Sequence, residues 1–149
     1  MSILSISSIS LASTRAGRRT ALLIGALLCA ACASTDQRLV PTAENRAALG
    51  KITTTSDDNG NTELRVMVDH LAEPAMISPG LRTFVVWIRP DGSAEYLNVG
   101  QLTIDDEDRN GELETKTPHR DFEVLVTAEA SSTPDHPSHH LVLTGHSNR

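Results

Sequence analysis

Residues 81–92, Leu-Arg-Thr-Phe-Val-Val-Trp-Ile-Arg-Pro-Asp-Gly, limit the possible folds more than any other stretch of this chain. In an extended segment Phe84, Val86 and Ile88 point to one face and Val85 and Trp87 to the other. Both faces are therefore apolar and both need cover, which predicts a central strand rather than a solvated edge. Pro90-Asp91-Gly92 supplies a fixed φ, a side-chain acceptor and tolerance of positive φ, so the chain should fold back there.

The surrounding segments repeat the strand pattern. Ile52 to Thr55 are strand formers, and Leu64, Val66 and Val68 alternate with Glu63, Arg65 and Met67. Between them Asn59-Gly60 is a hairpin signal, so these two segments should pair antiparallel. Pro74, Pro79 and Gly80 break the pattern and predict a crossing loop before the central strand. Tyr96 to Val99, Leu102 with Ile104, Leu113 to Thr117, the run Phe122, Val124, Val126 and Ala128, and Leu141 to Thr144 follow as further short strands. Seven or eight such strands, separated by turn signals and without helical periodicity, predict an all-β antiparallel sandwich over residues 50–149. Its core should hold Phe84, Val86, Trp87, Ile88, Phe122, Val124 and Val126.

The first part of the chain predicts an address. Arg15, Arg18 and Arg19 precede the apolar run Ala21 to Leu28, and small residues follow it, the order of a bacterial export signal over residues 1–31. The 13 residues from Ala21 to Ala33 fall short of the roughly 20 that span a bilayer. The only cysteines are Cys29 and Cys32, so no disulfide can form within the body. Ala30-Ala31-Cys32 resembles the lipobox of bacterial lipoproteins, which implies acylation of Cys32 and an anchor at the periplasmic face of the envelope. Cleavage after Ala33 is the alternative, and it would release the protein; whether the signal is of the general or the twin-arginine type stays open. Residues 32–49 have few large apolar groups and predict a tether with room for a short helix. Loss of the leader's three arginines leaves ten Lys and Arg against nineteen Asp and Glu, a charge of −9. So acidic a body disfavours nucleic acid as a partner.

Several polar groups invite chemical readings. Asp106, Asp108, Asn110 and Gly111 match positions 1, 3, 5 and 6 of an EF-hand calcium loop, but position 12 is Thr117, where a bidentate Glu is required. A charged β-turn is the expectation. Asp135, His136, His139 and His140 carry enough donors for zinc or copper, the basis of an alternative metal-binding function. Against it, adjacent His139 and His140 should point apart in extended chain. Glu123 and Glu129 share a strand face about 20 Å apart, too far for paired acid–base work, and should be solvated. No nucleophile elbow, zinc-protease helix or phosphate loop is present in the sequence, so neither a cofactor nor catalysis is expected.

Phe84-x-x-Trp87, Asp91-Gly92, Gly100-x-Leu102, Phe122, Val126-Thr127-x-Glu129, Pro137 and Val142 to Gly145 together resemble the extracytoplasmic C-terminal domain of anti-sigma-K factors and its stand-alone relatives, over residues 50 to 146. The resemblance implies an immunoglobulin-like sandwich on the outer side of the bacterial membrane. It does not carry over sigma-factor inhibition, because the cytoplasmic sigma-binding helices of those factors have no counterpart in this sequence. Trp87 is expected, as a core residue, to fill space that a disulfide occupies in some sandwich domains. The expected function is that of a non-catalytic envelope lipoprotein whose sandwich binds another envelope component through strand edges or loops.

Overall fold

A computed structural model describes residues 34–148. The expected export signal, Cys29 and Cys32 lie outside them. Nine strands and one short helix follow in the order β1 (Thr35–Pro41), β2 (Leu49–Ser56), β3 (Thr62–Asp69), α1 (Pro74–Ile77), β4 (Thr83–Pro90), β5 (Leu97–Gln101), β6 (Thr103–Asp105), β7 (Asn110–Thr117), β8 (Phe122–Glu129) and β9 (Leu141–Ser147). Every pairing is antiparallel, in the spatial order β5-β4-β8-β9-β1-β2-β3-β7-β6.

Two corners turn this ribbon into a nearly closed barrel or sandwich. β1 pairs with β2 from Thr35 to Leu39, then passes to β9 at Val40 and Pro41. At the other corner β5 and β6 are separated only by buried Leu102, whose N–H donates to Phe84 O at 2.9 Å. The terminal strands of the order are thus neighbours in the chain, and each is short, as befits strands left at a sheet margin.

The ninth strand is the main departure from expectation. Residues 35–41, predicted to be a tether, form β1, and residues 42–48 form a packed turn in which Ala48 and Asn45 are buried. The Asn45 side chain donates to His70 O, and Thr42 N–H donates to Val142 O at 2.9 Å. β1 buries one large apolar group, Leu39. That side chain fits over two glycines of flanking strands. A Cβ on Gly50 would come 2.7 Å from Leu39 Cβ, and one on Gly145 would come 2.5 Å from Leu39 Cδ2. Asp36 adds an ion pair to Lys51 at 2.7 Å and accepts from Thr53 Oγ1 at 2.7 Å.

The Asn-Gly hairpin forms as its sequence predicts. Gly60 takes φ +83°, and Asp57 Oδ1 accepts the N–H groups of Asn59 and Asn61 at 2.9 Å each. β4 lies between β5 and β8 and is buried on both faces, although it stands second from one end of the order rather than at its centre. Its inward residues Phe84, Val86 and Ile88 join Phe122, Val124 and Val126 in the main core. Trp87 does not. With Val85 and Leu125 it forms a second cluster on the opposite face of β4, supported by Tyr96 and Leu141. The period of two along a strand requires this, so Trp87 is buried in the second cluster and not in the intersheet position expected of it.

Toward the end where β1 begins, inward positions become polar. Thr54, Thr62 and Ser147 are at most 1% exposed, and their hydroxyls, like Gln37 Oε1, have no hydrogen-bond partner among the described residues. An unsatisfied buried hydroxyl costs about 1–3 kcal/mol, and valine keeps the shape and the strand preference of threonine. Thr62→Val is therefore expected to raise the melting temperature. A lowered value would show that the hydroxyl is hydrated inside the fold and makes a net contribution there.

Candidate functional site

The Trp87 face carries a buried polar chain that sequence reasoning missed. Trp87 Nε1–H donates to Thr127 Oγ1 at 2.8 Å, and the Thr127 hydroxyl donates to Glu129 Oε1 at 2.5 Å. The same carboxylate oxygen accepts the Ser138 N–H at 2.8 Å. Ser138 Oγ donates to Ala128 O at 3.0 Å and accepts the His140 N–H. Glu129, expected to be solvated, is 5% exposed. The β8–β9 connection, residues 130–140, is thereby tied to β8, while Ser132 O accepts from Asn98 Nδ2 on β5. A segment fastened to strands on either side of β4 must pass over it, which accounts for the burial of Val85 and Trp87.

Farther along the same face, a cleft of about 590 Å³ is lined by residues that include Val40, Arg89, Asp91, Gly92, Ser93, Glu123, Thr144 and His146. The Pro90 to Ser93 turn frames it; Gly92 takes φ +80° there and Ser93 N–H donates to Pro90 O at 2.9 Å. Two ion pairs hold its walls. Arg89 meets Glu123 at 2.7 Å and lies 5.0 Å over the Tyr96 ring, while the Tyr96 hydroxyl donates to Glu123 at 2.8 Å. Burial, then the bond to Glu123, holds the Tyr96 phenol above its usual range. His146 Nε2 meets Asp91 Oδ1 at 2.9 Å, joining the end of β9 to the β4–β5 turn.

Ser93, His146 and Asp91 are the residue types of a nucleophilic triad, and all three line this cleft. Their bonds argue against that use. The remaining His146 nitrogen faces Asn148 Oδ1 at 3.4 Å, and Ser93 Oγ engages Glu95 in a local turn. The nucleophile and base are thus each engaged elsewhere, whereas the chemistry needs them bonded to one another. Arg89 sits against Glu123, and His146, when protonated, pairs with Asp91.

The Asp91 hydrogen bond raises the His146 pKa above 6.5, with burial opposing and Asn148 adding to it. A raised folded value means that the pair's contribution is present below the unfolded pKa and is lost as pH rises through the folded one. Both groups are largely exposed, so the effect on stability is small. The Asp91→Asn variant is expected to lower the His146 titration midpoint measured by NMR. A midpoint that stays put would assign the shift to other neighbours.

The histidine loop does not gather its candidate ligands into one cluster. Asp135, His136 and His139 are exposed, and His139 and His140 do not point apart: their ring centroids lie 4.0 Å from each other, tilted by 39°. His140 faces Glu44 at 4.0 Å. Among the described residues no three His, Cys, Asp or Glu side chains are placed to hold a metal ion. The acidic segment Asp105 to Asn110 is a hairpin turn between β6 and β7. There Asp105 Oδ1 accepts the Glu107 N–H, and Arg109 pairs with Asp106 at 3.2 Å while donating to the carbonyls of Leu71 and Ala72.

Fold and site together define an all-antiparallel β protein with a surface cleft lined by charged and titratable side chains. Neither a protein-family model nor a curated protein matches the chain.

Proposed function

We propose that this chain is a non-catalytic lipoprotein of the bacterial envelope. Its immunoglobulin-like sandwich, similar to the extracytoplasmic domain of anti-sigma-K factors, recognises another envelope component at the periplasmic face. The observation that supports this reading is the near closure of the barrel. Only β5 and β6, five and three residues long, end the strand order. Little edge is left for an added strand, which favours recognition through loops and the Arg89–Glu123 and His146–Asp91 cleft over recognition through edges.

Two experiments test the reading. Growth with labelled palmitate should mark the protein, and Cys32→Ala should abolish the label; a label that is absent, or that persists in the variant, refutes the anchor. In-cell crosslinking from positions around the cleft should capture an envelope protein. Capture unaffected by charge reversal at both Arg89 and His146 would remove the cleft from that role.

A further inference from the structure

The pairing register sorts the loops of the barrel into two ends. Thr35 pairs with Thr54, so β1 starts beside the β2–β3 turn at residues 57–61. Thr62 pairs with Thr117, which brings the 118–121 turn to the same end. Phe122 pairs with both Ser147 and Pro90, which adds the tail of β9 and the 91–96 turn. The opposite end collects the connections 42–48, 70–82, 106–109 and 130–140, because Leu49 pairs with Asp69, Asp105 with Asn110 and Thr83 with Glu129.

Cys32 is separated from β1 by Ala33 and Ser34 alone. The three Cα–Cα steps from Cys32 to Thr35 span at most about 11 Å. Strands of eight residues are about 26 Å long. An anchor so close to the body leaves it little freedom to turn over. Charge does not draw this end to lipid: it carries Asp57, Asp58, Asp91, Glu95 and Asp121 against Arg120, with Lys116 3.6 Å from Asp57 and His146 2.9 Å from Asp91. The acyl chains alone must hold it there. At the far end Met76 is 80% exposed on α1, a helix with no buried residue.

We infer that the end formed by residues 57–61, 91–96 and 118–121 is the membrane-facing surface, which places the proposed recognition cleft around Asp91 and His146 beside the lipid headgroups. This inference rests on the proposed acylation of Cys32. It also confines a partner of that cleft to the layer next to the lipid headgroups.

The test uses the full chain expressed in a bacterial host, carrying either Asp58→Cys or Met76→Cys. Acylation consumes the Cys32 thiol and the signal carries away Cys29, so a thiol-reactive fluorophore reports one position in each variant. Purified lipoprotein is placed in vesicles of zwitterionic lipid with a minor fraction bearing a headgroup quencher. Quenching several-fold stronger at position 58 than at position 76 is expected. Equal quenching, or stronger quenching at 76, overturns the orientation while leaving the anchor intact. Unlabelled protein recovered only in the soluble fraction, without palmitate, defeats the anchor and the orientation with it.

Discussion

The Trp87→Ala variant is expected to lose about 3–5 kcal/mol of stability, the range for removing a large aromatic from a closed site. Trp87 is 1% exposed and sits against Val85 and Leu125 under the 130–140 connection. Two costs combine in the variant. A cavity opens between β4 and its cover, and the Thr127 hydroxyl loses the indole donor at 2.8 Å. Because the main core lies on the other face of β4, Phe84, Val86 and Ile88 should keep their packing, so the native fold should persist at reduced melting temperature. Chemical denaturation with an unchanged midpoint would show that the second cluster contributes nothing to global stability.

Glu129→Ala should be costly for a different reason. It removes the acceptor shared by the Thr127 hydroxyl and the Ser138 N–H, and each buried donor left without a partner costs about 1–3 kcal/mol. The loss should be concentrated in the connection that Ser138 fastens, so amide exchange there should accelerate more than in β7, on the other side of the barrel. Pairing this substitution with Trp87→Ala in a double-mutant cycle measures how far indole, hydroxyl and carboxylate act as one unit. Strict additivity, with no local rise in exchange, would contradict the tie between the connection and the sheet.

These two residues also mark where the sequence is and is not legible. The alternation through residues 84–88 and 122–128 places the main core directly, since apolar residues at a period of two need no distant partner to be recognised. The hairpin at Asn59-Gly60 is equally local. β1 is different: its one buried apolar side chain, Leu39, gains a place only from Gly50 and Gly145, and neither contact leaves a trace in residues 35–41. Glu129 carries no signal of burial either, because its partners Ser138 and Thr127 become relevant only once the connection has folded back over β4. The same folding sets His139 beside His140, against the extended geometry that adjacency suggests. The cleft at His146 and Asp91 joins β9 to a turn far away in the chain, and no spacing rule connects them.

The passage of β1 from β2 to β9 also bears on how the protein is made. Val40 pairs with Thr144 and Pro41 with Leu143, contacts between the first and last strands of the described chain. Such pairings close a very long loop, which slows the step that makes them. Until β9 has paired, β1 at Val40 and Pro41 and one margin of β8 expose unpaired backbone, and the folding chain resembles an open sheet. The protein therefore passes through an association-prone state before β9 pairs, and whatever shields those two strands in the cell acts in that interval.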